Sequence, residues 1–318
     1  MTRTATKPHL LAIGAFPDFL LERLRGTFDV HEMLGDEPPS EALRQSGRVR
    51  AIAALGESIA DRRLLDLFPA TEIIVVYGVG YDGIDVATAT ERRIAVTHTP
   101  DVLTADVADF ALALMLAIAR KVGEADRFVR RGDWLKEKFP LGARINGARI
   151  GIVGLGRIGK AVATRAAAFG MTIDYTDLRP SPGIKYKFHP TAVELASAVD
   201  YLVVSTYGGA STRKLIGAQV LKALGPRGFL INVSRGSVVD EDALVRALAS
   251  GEIAGAALDV FEDEPRVRSE LIAMENVVLT PHIASGTAET RQAMADLVVD
   301  NLEAHLAGRP LLTPVPKT

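Results

Sequence analysis

At 318 residues the chain is long enough to hold two domains with real cores, and its net charge of −2 supplies no global basic field to recruit nucleic acid. It has no cysteine, which excludes disulfides, thiolate nucleophiles and cysteine metal sites, and no metal site is expected. The longest apolar run, residues 110–119, is too short to cross a bilayer, and the opening MTRTATKPHLLAIGAF lacks the apolar core and cleavage site of a leader, so the expected location is the cytoplasm.

The first hundred residues alternate short apolar runs with helical stretches. Strands are predicted at 10–13, 49–54, 73–77 (IIVVY, followed by Gly78-Val79-Gly80) and 95–97. Helices are predicted at 18–25, with Phe19, Leu20 and Leu24 on one side, and at 61–68, capped by Asp61. Thr99-Pro100-Asp101 marks a break, because proline turns its predecessor away from helix. One long helix is predicted from about 104 to 130. Its first half is too apolar for a surface helix, so it is expected to pack between domains, and Gly132-Asp133-Trp134 ends it.

A second series begins at 148. Strands are predicted at 149–153, 171–175, 201–205, 229–233, 256–259 and 277–279, with helices at 160–169, 193–198, 242–249 and 288–306 and an extended tail at 310–316. Alternating βα units imply parallel sheets. The fold class expected is α/β with two Rossmann-like lobes. Residues 1–99 and 286–318 are expected to form a discontinuous substrate domain, and 100–285, which holds the strand-to-helix turn Gly154-x-Gly156-x-x-Gly159, a dinucleotide-binding domain. Two crossings, near Pro100 and Ser285, make a natural hinge.

The run IGIVGLGRIG at 150–159 goes from an apolar strand straight into Gly154-x-Gly156-x-x-Gly159. The first glycine permits a tight turn, the second lets backbone approach a pyrophosphate, and the third lets helix and strand pack closely. The helix then presents free N–H groups to an anion. Asp177, eighteen positions beyond Gly159, is the acid expected at the tip of the next strand, where a carboxylate accepts from a ribose 2′-OH and repels a 2′-phosphate. Asp174 competes but lies inside the strand, and Arg179 would suit a 2′-phosphate. The charge of Asp177 favours NAD(H); NADP(H) is the alternative.

Three polar residues follow predicted strands of the second series: Arg235 after FLINV, Glu264 after LDVFED and His282 after NVVLT. Ligands of open α/β sheets bind outside the carboxyl ends of the strands, so all three are expected to face one crevice. Arginine offers a planar fork to a carboxylate, histidine exchanges a proton near neutral pH, and a carboxylate on its other nitrogen fixes its tautomer. Taken singly, each has a plain structural reading: a surface ion-pair partner, a solvated loop acid, a satisfied loop histidine. Together they suit reduction of a 2-oxo acid.

At these residues the chain resembles the D-isomer-specific 2-hydroxyacid dehydrogenase family. The resemblance rests on GVGYDGID at 78–85, TPDVLTADVADFALALML at 99–116, GIVGLGRIG at 151–159, INVSRGSVVDEDAL at 231–244, GAALDVFEDEP at 255–265 and TPHIASGT at 280–287. The nearest branch it resembles is the glyoxylate/hydroxypyruvate reductases, including plant-type hydroxyphenylpyruvate reductases. The resemblance implies an Arg–Glu–His catalytic set at Arg235, Glu264 and His282, and substrate carboxylate binding by the backbone at Val79 and Gly80 with Arg235 and His282. It also implies that Leu155, Gly156, Arg157 and Ile158 lie over the pyrophosphate, that Val233 and Ser234 line the nicotinamide side, and that Asp259 accepts from the carboxamide. NADP-using relatives commonly show Ser-Arg-Ser where this chain has Asp177-Leu178-Arg179, and Thr206-Tyr207-Gly208 replaces a usual Pro-Leu-Thr type loop. The substrates expected are glyoxylate, hydroxypyruvate or a phenylpyruvate, with 2-ketogluconate as an alternative; a non-catalytic, nicotinamide-sensing interaction protein is the reading from another class. The family also implies a homodimer, formed through the region of the long helix and Trp134.

Overall fold

The computed structural model describes residues 7–34 and 39–316. The start of the leader reading, residues 1–6, lies outside them. The chain divides into two compact units, the described residues of Met1–Leu103 with Thr287–Thr318, and Thr104–Gly286.

In the first unit the strands are β1 (His9–Ile13), β2 (Asp29–Met33), β3 (Val49–Leu55), β4 (Ile73–Tyr77) and β5 (Ala95–Thr97), and the helices α1 (Asp18–Thr27), α2 (Glu41–Ser46), α3 (Arg62–Leu67) and α4 (Val86–Glu91). All strand pairs are parallel, in the order β2-β1-β3-β4-β5. β4 is buried at all five positions, as a strand covered on both faces should be. Asp61 caps α3 by accepting from Leu64 N at 3.0 Å, as its sequence position predicts. The predictions omit β2, α2 and α4. β2 reads DVHEM, a polar edge strand without an apolar run, and the two helices are six residues each, under two turns.

The second unit holds α5 (Thr104–Ala119), α6 (Val122–Arg130), β6 (Arg149–Val153), α7 (Arg157–Ala168), β7 (Thr172–Thr176), β8 (Lys187–Phe188), α8 (Ala192–Ala198), β9 (Tyr201–Val204), α9 (Ala218–Leu224), β10 (Phe229–Asn232), α10 (Glu241–Ala249), β11 (Gly255–Leu258), α11 (Ser269–Ala273) and β12 (Val277–Leu279). Its sheet runs β12-β11-β10-β9-β6-β7-β8, again all parallel. The order reverses between β6 and β9, and such a switch point opens the ligand crevice of a doubly wound sheet. The chain then returns to the first unit as α12 (Ala288–Leu306), which packs on β4. Tyr77 Oη donates to Arg291 O at 3.0 Å there. The tail at 310–316 runs beside β5, with Val315 N donating to Val96 O at 2.9 Å.

The single long helix expected over 104–130 is corrected. It breaks between α5 and α6 at Lys121, whose φ of 55° is left-handed. The apolar first half is explained within the second unit, where α5 packs against α7 and the strands β10 and β11, burying Val107, Ala111, Leu112, Leu114, Met115 and Ile118. The exposed apolar side chains of this region come later, at Val122, Val129, Trp134, Leu135 and Leu141.

Candidate active site

The glycine loop links β6 to α7 at the switch point. Gly154 has φ of 90°, and a Cβ there would come within 2.7 Å of Thr206 Cα, so both conformation and space require glycine. A Cβ at Gly159 would collide with the carbonyl oxygen of Gly154. At Gly156, the N-cap of α7, a Cβ would meet nothing within 4 Å. Open space therefore lies beside the backbone where the first-turn N–H groups lack helical acceptors, and Gly156 has no side chain to cap them. Ser205 Oγ, at the end of β9, donates to Gly154 O at 2.9 Å and ties the loop across the switch point. An anion-bearing nucleotide fits these features.

Asp177 follows β7 directly. Its Oδ2 accepts from Leu155 N at 2.9 Å and its Oδ1 from Leu178 N at 2.7 Å, so the carboxylate is fixed against the glycine loop. The competitor, Asp174, is buried and bonded to His189 Nε2 at 2.8 Å. Arg179 is exposed and pairs with no acid among the described residues. Tyr207 is also exposed, with its Oη 3.1 Å from Ser211 Oγ, so it does not fill the core.

The three catalytic candidates come from loops at the carboxyl ends of β10, β11 and β12. Arg235 is half-buried and donates from Nη1 to Ser234 O at 2.9 Å. Its turn is built by Asn232, which is buried. Asn232 Oδ1 accepts from Ser234 N (3.0 Å) and Ser234 Oγ (2.8 Å), while Nδ2 donates to Arg235 O (3.0 Å). Val233 and Ser234 are buried in that turn. Gly236 follows so closely against the backbone of Phe261 and Glu262 that a Cβ would overlap it, which locks the arginine turn to the loop carrying Glu264.

His282 Nδ1 lies 2.7 Å from Glu264 Oε2, and Glu264 Oε1 accepts from Phe261 N at 2.9 Å. Burial pushes the Glu264 carboxyl up, but the hydrogen bond and charge of His282, the Phe261 N–H and the charge of Arg235 outweigh it and hold the group below the usual carboxylate range. An ionised carboxylate only accepts, so Nδ1 carries the proton and Nε2 is left to exchange one.

The loop under His282 hangs on Asp259, which is 0% exposed. Asp259 Oδ1 accepts from Thr280 Oγ1 (2.7 Å) and Ile283 N (2.9 Å), and Oδ2 from Ala284 N (2.8 Å). His282 N donates to Asp259 O at 2.8 Å, and His282 itself has φ of 53°, a left-handed conformation that non-glycine residues hold only when the surroundings impose it. Sequence reading found the acid and the histidine but missed that the one positions the other. It also missed Asn232; a polar residue at the buried end of an otherwise apolar strand, FLIN, was the available signal.

Val79 and Gly80 follow β4 in the first unit and are half-buried. Val79 O lies 2.8 Å from His98 Nδ1, and Gly78 O accepts from Thr99 N at 2.8 Å. The backbone N–H groups of Val79 and Gly80 donate to no acceptor among the described residues. Among those residues, no helix is long and apolar enough to cross a membrane.

Comparison with known proteins agrees with this geometry. Residues 112–284 match the family described as D-isomer specific 2-hydroxyacid dehydrogenase, NAD binding domain. The chain is 49% identical over 280 residues to glyoxylate/hydroxypyruvate reductase A of Arabidopsis thaliana, covering 87% of this chain and 90% of that one. It is 49% identical over 271 residues to hydroxyphenylpyruvate reductase of Plectranthus scutellarioides, covering 85% and 87%. Among solved structures it is similar to an NADPH-dependent glyoxylate/hydroxypyruvate reductase of Sinorhizobium meliloti in complex with NADP and malonate, with a TM-score of 0.92 and 46% identity over 98% of each chain. A glycine loop at the switch point and a histidine–glutamate pair beyond the same sheet, together with these likenesses, place the chain in the D-isomer specific 2-hydroxyacid dehydrogenase family.

Proposed function

We infer that the protein reduces a small 2-oxo acid, glyoxylate, hydroxypyruvate or a phenylpyruvate, to the D-2-hydroxy acid. The observation that carries this is the His282–Glu264 pair at 2.7 Å, set in the same domain as a glycine loop that fits a dinucleotide. The first-turn N–H groups from Gly156 to Ile158 would hold the pyrophosphate, and Val233 and Ser234 would line the nicotinamide. Asp259 is 0% exposed and, among the described residues, its Oδ2 accepts one bond, from Ala284 N, so accepting from the carboxamide as well would require the loop from Thr280 to Ala284 to draw back from it. When bound, the reduced nicotinamide supplies the hydride.

The remaining work falls to this chain's side chains. Arg235 binds the substrate carboxylate with its planar fork, and the N–H groups of Val79 and Gly80 would offer an anion nest suited to the same kind of group. His282, protonated on both nitrogens, gives its Nε2 proton to the substrate oxygen as negative charge develops there. Glu264 stabilises the imidazolium before that transfer and fixes the Nδ1–H tautomer after it. In the reverse direction neutral His282 takes the hydroxyl proton.

NAD(H) is the favoured cofactor and NADP(H) the alternative. The carboxylate of Asp177 is held in place by two backbone N–H groups, so it cannot swing away from an incoming 2′-phosphate without losing both. The Sinorhizobium structure is of an NADPH-dependent enzyme, so Asp177 is the residue on which to test cofactor choice in this chain. The exposed Trp134, Leu135 and Leu141 favour a two-fold homodimer through that segment. A steady-state panel of 2-oxo acids with each reduced cofactor tests the assignment. Turnover of glyoxylate, hydroxypyruvate or a phenylpyruvate, faster with NADH, is expected. No turnover of any 2-oxo acid with either cofactor would refute it.

A further inference from the structure

In the first unit, far along the sequence from every residue assigned above, strand pairing gathers two imidazoles and a carboxylate. His9 opens β1 and is the register partner of Asp29 on β2. His31 lies two residues beyond Asp29, and side chains two apart on a strand share a face. The backbone itself therefore sets all three on one side of the β1–β2 pair. His9 Nδ1 lies 2.8 Å from His31 Nε2, and Asp29 Oδ2 lies 3.7 Å from the first and 3.8 Å from the second.

These three atoms form a triangle whose circumradius is about 2.0 Å, so one point lies about 2.0 Å from every corner. That is the bond length of zinc to imidazole nitrogen and to carboxylate oxygen. We propose that His9, Asp29 and His31 form a surface site for a divalent transition metal such as Zn²⁺, with water completing the coordination. Two imidazoles and one carboxylate suit zinc, copper or nickel; calcium and magnesium need a larger set of oxygens.

Without metal the two rings are 9° from parallel with centroids 5.0 Å apart, close to the nitrogen–nitrogen distance plus two ring radii. The rings thus meet edge to edge, each facing nitrogen aimed at the other. The common point lies about 45° off that axis, so metal uptake has to swing each ring by some tens of degrees, and the proton between the facing nitrogens moves to the far nitrogen of its own ring, leaving both as lone pairs. β2 is an edge strand, paired with β1 alone, so a metal joining His9 to Asp29 and His31 clips it to the sheet. The sequence spacing conceals the site, because His9 stands twenty residues before Asp29.

The test is titration of the metal-free protein with Zn²⁺ alone, read by calorimetry and by the thermal midpoint, in the wild type and in the His31→Gln and Asp29→Asn variants. The wild type should take up one Zn²⁺ per chain with micromolar or tighter affinity and melt higher for it. Each variant should bind about 10-fold or more weakly and lose the thermal shift. Asp29→Asn keeps shape at an exposed position, so its fold, checked by circular dichroism, and its turnover should match the wild type. Absence of uptake, or uptake of equal affinity in all three proteins, overturns the site. A loss in only one variant overturns the three-ligand assignment. The result does not depend on whether the protein reduces 2-oxo acids.

Discussion

Replacing Glu264 by Gln removes the charge and one of two acceptors. Glutamine is nearly isosteric and its oxygen can still accept from His282 Nδ1, in which case its amide nitrogen faces the Phe261 N–H that Oε1 now accepts, so circular dichroism and cofactor binding must first show the fold intact. A hydrogen bond between charged partners is worth roughly 1.5–3 kcal/mol and a neutral one about 0.5–1.5. The His282 and Glu264 side chains are 35% and 27% exposed, so solvent screens part of the attraction and the lower end applies. The imidazolium therefore loses about 1 to 1.5 kcal/mol of stabilisation, equivalent to about one pH unit. The sign follows from the chemistry. Reduction needs protonated His282, and without the carboxylate that proton leaves at lower pH. The alkaline limb of kcat/KM for 2-oxo acid reduction should thus move down by about one unit, and the acid limb of the reverse reaction should move down with it. Glu264 itself is held below the usual carboxylate range, so the wild-type pair contributes in full above the unfolded carboxylate's titration range. That contribution fades only as the pH falls through the lowered native value. Profiles measured with saturating cofactor decide the matter. A limb that stays in place while the rate alone changes would show that Glu264 does not act through the charge on His282.

Asp177→Ser should raise the NADPH-to-NADH ratio of kcat/KM by about 10-fold or more, since it deletes the charge facing a 2′-phosphate; an unchanged ratio would move cofactor choice to another residue. Asp259→Asn should cost about 1–3 kcal/mol in chemical denaturation, because an amide nitrogen would face a loop N–H where an oxygen now accepts. It should lower kcat more than it raises KM, and a purely structural loss with unaltered kcat would contradict a positioning role. Gly236→Ala should destabilise by about 1–3 kcal/mol and raise the KM for the oxo acid, as the Arg235 turn is pushed off the Phe261–Glu262 backbone. A folded variant with an unaltered KM would mean that this turn does not set the arginine.

The features legible in the sequence were those carried by local patterns. The buried strands β4, β6 and β10 read as apolar runs, and the glycine loop reads as spaced glycines after a strand, because both are set by neighbours a few positions away. Arg235, Glu264 and His282 were legible as polar residues after strands. What escaped depends on tertiary surroundings. The polar edge strand β2 is a strand because β1 pairs with it, and the break at Lys121 interrupts a pattern that otherwise continues as helix. The role of Asp259 appears only once the loop from Thr280 to Ala284 folds onto its carboxylate. Likewise, His9 and His31 meet through strand register, which no spacing rule contains.

Single-turnover reduction of glyoxylate or hydroxypyruvate by His282→Ala, with cofactor binding confirmed separately by fluorescence titration, probes the central claim of proton donation at Nε2 most directly. Loss of the general acid should slow the chemical step by about 100-fold or more while leaving cofactor affinity in place. A variant that binds cofactor and still reduces the oxo acid at the wild-type rate would contradict the assignment of His282 as the proton donor.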